Sequence, residues 1–218
     1  MKPRAWSFTA LTNFETCPRK YYETSVSKKW PDEMGEAALW GNQVHEALDK
    51  YIKGEAPMPE SMLRFKPLAD KVLNTDGKVI SEQKIALNNG HQITEFFAPD
   101  VWVRVIFDVT IVYDDRIVLL DWKTGKRKPN SDQLRLFAAA VLDVYPHIDR
   151  VTTGFVWLKE RAIDKEKFVR GQPLWEEFLP RVARFNKAFQ TEHFPEKPSG
   201  LCRAWCPVLD CEFNGRKP

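Results

Sequence analysis

Two β-prone runs meet at an acidic turn, and each carries a charge where burial is expected. Residues 101–113 read VWVRVIFDVTIVY, Asp114 and Asp115 follow, and residues 116–122 read RIVLLDW. β-Branched and aromatic residues at this density form strands, and two turn-prone residues between them close a hairpin. The second run is almost continuously apolar, as in a strand buried on both faces at the centre of a sheet. Asp108 interrupts the first run and Asp121 closes the second, and a hairpin folded about Asp114–Asp115 sets the two almost opposite each other. Carboxylates in that register repel unless a cation lies between them. Lys123 follows Asp121 by two residues, so both project from one face of the strand. A purely structural strand keeps apolar groups at its buried positions, so Asp108, Asp121 and Lys123 are the candidate reaction centre. Carboxylate oxygens with water are the ligand set of Mg²⁺ or Mn²⁺.

The flanking sequence supplies helices and further strands. Periodic apolar residues predict a helix over 7–22, capped by Ser7 or Thr9 and kinked or restarted at Cys17-Pro18. A second helix is expected from Gly35 to Lys53, with Ala38, Leu39, Val44, Ala47, Leu48 and Tyr51 in one stripe and Gly54 as its stop. A proline-bearing loop over 55–67 leads to a short helix near 68–73. Residues 79–87 read as a strand, Asn88-Asn89-Gly90 as a hairpin turn and 91–97 as another strand. After the basic segment at Lys126, a helix over 131–144 and a strand over 149–158 imply a parallel pairing through a crossover. A long helix over 173–190 precedes a proline-rich tail. The fold class is therefore α/β, a mixed central β-sheet flanked by helices. The chain is expected to be one domain over 1–218: a helical part over 1–75, a catalytic sheet core over 76–160, and a C-terminal helix and tail over 161–218.

Length and charge exclude little else. At 218 residues the chain suits one substantial domain. No apolar run approaches the roughly 20 residues of a membrane helix, and the basic N-terminus lacks the apolar stretch of a signal peptide. A cytoplasmic protein without membrane association is expected. The net charge of +3 is modest, but its distribution is not. Lys123, Lys126, Arg127 and Lys128 crowd into six residues, and Arg19, Lys20 and Tyr21 mix cations with an aromatic ring. Both segments suit a phosphate backbone. Trp6, Tyr21, Tyr22, Trp30 and Trp122 stand near basic residues and are candidates to stack unpaired bases, although most of the eight tryptophans are read as core.

The order of these features resembles the PD-(D/E)XK nuclease superfamily, in which a D…(D/E)xK pair sits on a hairpin of the central sheet. It is similar in particular to the RecB-type exonucleases, including the CRISPR-associated RecB-like and AddB-type nucleases. That branch carries Gly-x-x-x-His, matched by Gly41 to His45; D-x-K-T-G, matched by Asp121 to Gly125; and Q-x-x-x-Y, matched by Gln133 to Phe137. Val105 stands where the family usually has glycine, and Phe137 where it has tyrosine. The resemblance implies a metal-dependent deoxyribonuclease acting on single-stranded DNA or DNA ends. The settings it implies are DNA recombination, repair, replication, and phage or CRISPR DNA processing. His45, Asp108, Asp121 and the backbone carbonyl of Trp122 would hold Mg²⁺ or Mn²⁺, Lys123 would orient or deprotonate the attacking water, and Gln133 would position Lys123 or the DNA. Glu82 is a further carboxylate candidate. No GxxxxGK[ST] loop is present, so a helicase would be a separate chain, and a recombination protein is a further expected partner. A catalytically silent DNA-binding scaffold of the same fold is the alternative reading.

The cysteines form their own pattern. Cys17 stands alone near the start, while Cys202, Cys206 and Cys211 lie within ten residues near the end. In a reducing compartment, such clustering reads as metal ligation. Iron–sulfur members of the resembled branch place one cysteine before the core and three after it, which implies a [4Fe–4S] cluster joining the N- and C-terminal segments. Their usual x2 and x5 spacing is x3 and x4 here, and structural Zn²⁺ takes the same four thiolates.

Overall fold

A computed structural model describes residues 4–128 and 132–216. By backbone proximity they divide into two compact units, one of residues 34–175 and one made from the two ends of the chain, 1–33 with 176–218.

The larger unit is built on a six-stranded sheet of order β2-β1-β3-β4-β5-β6. Its strands are β1 (Lys78–Asn88), β2 (Ile93–Thr94), β3 (Val101–Val112), β4 (Arg116–Lys123), β5 (Arg150–Trp157) and β6 (Ala162–Val169). All neighbours are antiparallel except β4 and β5, which are parallel and joined through helix α5 (Asp132–Val144). Ser131, the expected first residue of that helix, lies outside the described residues. The expected α/β class and the mixed sheet are thus both present. Strand β2 is only two residues long where seven were expected, because Glu95 to Asp100 turn away from the sheet.

Helix α3 (Glu36–Ile52) and helix α4 (Lys66–Leu73) cover one face of the sheet. Val44, Leu48 and Ile52 of α3 join Ala69 and Val72 of α4 against Val109, Ile111, Leu120, Trp122 and Val156. Met62 and Phe65, in a 3₁₀ turn over Glu60–Phe65, seal the cluster in a stretch expected to be plain loop. Helix α5 lies on the opposite face, where Phe137 meets Phe107 edge-on at 5.0 Å. Each fully buried aliphatic side chain in these layers contributes roughly 1.5–3 kcal/mol.

Strand β6 was not expected from the sequence. Its residues alternate between half-buried Asp164 and Glu166 and exposed Ile163, Lys165 and Lys167, so no apolar periodicity marks it. Charged side chains along an outer strand discourage a further strand from adding to the edge.

In the smaller unit, helices α1 (Phe8–Thr16) and α2 (Pro18–Tyr21) break at Cys17 as expected, with Ser7 capping α1. Helix α6 (Leu179–Gln190) begins six residues later than expected. The two ends of the chain meet in an aromatic core: Phe185 lies 5.2 Å from Phe14, 5.6 Å from Tyr21 and 5.0 Å from Phe189. Arg181 grips Glu15 through both carboxylate oxygens at 2.8 and 2.7 Å. Among the described residues no helix is long and apolar enough to cross a membrane.

Candidate active site

The central hairpin has the register expected from its turn: Val112 pairs with Ile117 and Val109 with Leu120. Pairing stops there, one step before Asp108 would meet Asp121. The cause is local. Asp108 Oδ2 accepts a hydrogen bond from the Trp122 amide at 2.7 Å, so a side chain takes the place of the ladder at this point. The ladder to β1 is interrupted at the same residue, where Glu82, opposite Asp108, has a positive φ of 51°. Phe107 packs toward α5 while Val109 packs toward α3 and α4, so the inward-facing set of β3 changes sides across Asp108. A regular strand keeps residues two apart on one face. Such irregularities re-aim side chains beside active sites.

Each carboxylate has its own cationic partner. His45 Nδ1, brought in by α3, lies 3.1 Å from Asp108 Oδ1. Burial opposes the imidazolium, but the hydrogen bond and charge of Asp108, with the charge of Asp121, outweigh it and hold the His45 pKa above its ordinary value. Asp121 is 6% exposed. Its Oδ1 accepts from Gln133 Nε2 at 3.0 Å, and its Oδ2 lies 2.6 Å from Lys123 Nζ. That ion pair is close but off the angle of a hydrogen bond, so Oδ2 is buried without an aligned donor. Lys123 Nζ also donates to Gln133 Oε1 at 3.1 Å and stands 4.6 Å from the centre of the Phe155 ring. Asp121, Lys123 and Gln133 thereby close a three-way ring. Burial, then the negative charge of Asp108, push the Asp121 pKa up to about 6, with Lys123 and His45 pulling the other way.

A cleft of about 510 Å³ opens on the α3 side of the sheet, lined by His45, Glu46, Asp49, Glu82, Ile106, Asp108 and Trp122. Gly41 of α3 faces Thr124, just after β4. A Cβ at Gly41 would lie 3.1 Å from Thr124 Oγ1, so the missing side chain lets the helix approach the strand end. One contact thus accounts for a residue in each of two sequence motifs. Reasoning from sequence missed Ser81 and Asp49. Ser81 Oγ donates to Asp49 Oδ1 at 2.6 Å and tethers β1 to α3 beside the cleft. Its only signal was a polar residue within an otherwise strand-like run.

The remaining expected residues are distributed differently. Lys126 and Lys128 are exposed, while Arg127 is clamped to Asp164 through two hydrogen bonds. In the smaller unit Tyr21 is buried beside Phe14 and Phe185, Arg19 is paired with Glu196 and Asp210, and Lys20 with Asp32. Trp6 and Trp122 are buried as well. Among the described residues, no three His, Cys, Asp or Glu side chains converge as a formed metal-ligand set. The expected four-cysteine metal site is therefore not shown. All four thiols are free, Cys206 and Cys211 pack with Val208, and Cys17 and Cys202 accept backbone N–H groups from Lys20 and Ser199 at 3.4 Å. The nearest chemistry to a shared site is electrostatic: burial raises the Cys206 pKa, and the charges of Cys202 and Cys17 add to that shift.

On the central sheet, Asp121 and Lys123, bridged by Gln133 from the next helix, thus stand beside Asp108 and its partner His45. The sequence model of the PD-(D/E)XK nuclease superfamily matches residues 5–211, and the chain belongs to that superfamily. Among solved structures it is similar to SSO0001, at 12% identity and a TM-score of 0.49, covering 98% of this chain and 89% of that one. It is also similar to the alkaline exonuclease LHK-Exo from Laribacter hongkongensis, at 13% identity and a TM-score of 0.39, covering 87% and 89%. A complex of LHK-Exo with dAMP aligns at 12% identity and a TM-score of 0.36, covering 86% and 88%. No curated protein matches the sequence.

The raised Asp121 pKa has a thermodynamic consequence. The folded state holds the Asp121 proton up to about pH 6, whereas the unfolded chain releases it near the ordinary carboxylate value of 3.8. Asp121 therefore contributes stability below pH 4 that is lost as pH rises through 6. In EDTA, urea unfolding of Asp121→Asn and wild type should show the difference moving in favour of Asn by on the order of 2 kcal/mol between pH 4 and pH 7.5. A difference independent of pH would contradict the burial account.

Proposed function

We propose that the chain is a Mg²⁺- or Mn²⁺-dependent deoxyribonuclease of the RecB-type branch, hydrolysing phosphodiester bonds in single-stranded DNA or at DNA ends, with exonuclease action. The observation that supports this reading most is the Asp121–Lys123–Gln133 ring set beside Asp108 within a nuclease-superfamily fold.

The donor chemistry suits a hard divalent cation: Asp121 Oδ2 is buried without an aligned donor, and Asp108 and His45 lie on the cleft. His45, Asp108, Asp121 and the Trp122 carbonyl would hold the ion, which when bound would supply a Lewis acid for the phosphate and the attacking water. The chain's own groups do the rest. Lys123, held by Gln133, places a positive charge and a proton donor where negative charge grows on the phosphate. Gln133 fixes Lys123 through one end of its amide and Asp121 through the other, so both are set before substrate arrives. Lys126 and Lys128 would hold the DNA backbone beyond the reacting bond. Arg19, Lys20 and Tyr21 would contribute only where their present partners yield. A helicase or recombination protein, as a separate chain, would supply the single strand.

End-labelled DNA digested with Mg²⁺ or Mn²⁺ tests this directly. Wild type should cut, and Lys123→Ala and Asp121→Ala should each lower the rate by about 10²-fold or more. Equal activity in all three removes the site assignment, and an inert wild type on every DNA form favours the silent scaffold.

The four cysteines are proposed to bind a [4Fe–4S] cluster, with structural Zn²⁺ as the alternative. Support comes from four free thiols within one unit formed by the two chain ends, and from the closeness of Cys202 and Cys17 to Cys206 that their electrostatic effect on it implies. Protein purified anaerobically should be brown, with absorbance at about 400 nm. Colourless protein with stoichiometric zinc excludes the cluster.

A further inference from the structure

Among the described residues several arginines are neutralised by carboxylates, including Arg19, Arg116, Arg127, Arg150, Arg170 and Arg181. Arg104, on β3, is not paired in this way. Among the described residues its one hydrogen bond runs from Nε to the Phe96 backbone oxygen at 2.6 Å, and it has no carboxylate partner. That bond fixes its guanidinium 5.7 Å from the ring centres of both Phe96 and Phe97. The two rings meet edge-to-face at 5.2 Å. Phe97 is 86% exposed, more than any other large apolar side chain recorded as exposed among the described residues.

This cluster is continuous with the candidate active site. Ile106 lies two residues from Arg104 and two from Asp108, is 42% exposed and lines the cleft that holds Asp108. Lys84 is the cross-strand partner of Ile106, and its side chain is about half exposed. A row of Arg104, Lys84 and Ile106 therefore runs along β3 and β1 toward Asp108. The four residue steps from Arg104 to Asp108 span about 13 Å. A single strand crosses that distance in about two to four nucleotides.

The exposed face of Phe97, with half-buried Phe96 and an uncompensated guanidinium beside it, matches one polymer chemically: a strand with unpaired bases to stack and phosphates to pair. A duplex hides its base faces and offers nothing for Phe97 to stack on. An apolar protein partner would leave Arg104 buried without a counter-charge, at considerable cost. We propose that Phe96, Phe97 and Arg104 form a stacking platform for single-stranded DNA. The strand passes from this platform over Lys84 and Ile106 into the Asp108 cleft. The platform selects unpaired strands and registers the reacting phosphate a fixed number of nucleotides away. It rests on the nuclease reading for the direction of the track, but not for the platform itself.

Binding without hydrolysis separates the two. Fluorescence anisotropy of a labelled oligo-dT and of a blunt duplex is measured in EDTA with the full chain, for wild type, Phe97→Ala, Phe97→Trp and Arg104→Gln. Phe97→Ala should weaken single-strand binding about ten-fold and leave duplex binding unchanged. Phe97→Trp should retain it, and Arg104→Gln should weaken it with a shallower salt dependence. Moving a single abasic residue along the oligonucleotide should expose one sensitive position in wild type that vanishes in Phe97→Ala. Equal single-strand affinity in wild type and Phe97→Ala overturns the platform, as does a wild type that binds no single strand. Unchanged DNA binding with altered sedimentation would instead assign the patch to a second copy of the chain. A wild type that binds through Phe97 yet cuts nothing keeps the platform and removes the nuclease reading.

Discussion

The hydrogen bond from the Trp122 amide to the Asp108 carboxylate governs the arrangement of everything around it. In an ordinary hairpin that amide belongs to the ladder, and the strands close over it. Here a side-chain oxygen intervenes at 2.7 Å, and the antiparallel pairing ends at Val109 and Leu120. The strand ends beyond the last pair hold Asp108 toward His45 on one side and Asp121 toward Gln133 on the other. Positive φ at Glu82 releases the neighbouring strand at the same level, so the sheet is interrupted on both sides of one residue. The buried apolar layers above and below this interruption make the irregular backbone tolerable.

The energetic character of the site follows from that opening. Asp121 is buried next to another carboxylate, an arrangement that favours its neutral form until a positive charge compensates it. Lys123 and His45 provide part of that charge from the chain itself. Full compensation from a divalent cation would turn a destabilising feature into a binding one. The same carboxylate would then weaken the fold without metal and strengthen it with metal. Gln133 matters because its amide both donates and accepts, holding a carboxylate and an ammonium at once, which neither a purely apolar nor a charged residue can do.

Much of this was readable from the chain. The α3 helix ends within one residue of its expected limits because Gly35 and Gly54 bracket a clear apolar stripe. The hairpin register came from its turn, and the parallel β4–β5 pair from the intervening helix. Strand β6 escaped because an edge strand with charges on both sides has no apolar period. The side-switch at Asp108 escaped because Val-Ile-Phe-Asp-Val-Thr reads as regular strand, and nothing local announces a backbone break stabilised by a distant amide. Phe97 escaped for the opposite reason. The sequence marks tryptophans and tyrosines near basic residues as stacking candidates, yet Trp6, Tyr21 and Trp122 are core, and the exposed ring sits beside an arginine seven residues later.

Whether Asp108 and Asp121 together bind a divalent cation decides what this site is. Electron paramagnetic resonance of free Mn²⁺, titrated with the full chain at pH 7.5, measures this without any DNA. Wild type should deplete the free signal, and a variant combining Asp108→Asn with Asp121→Asn should leave it unchanged. Equal depletion by both proteins would place the metal elsewhere and contradict the central claim.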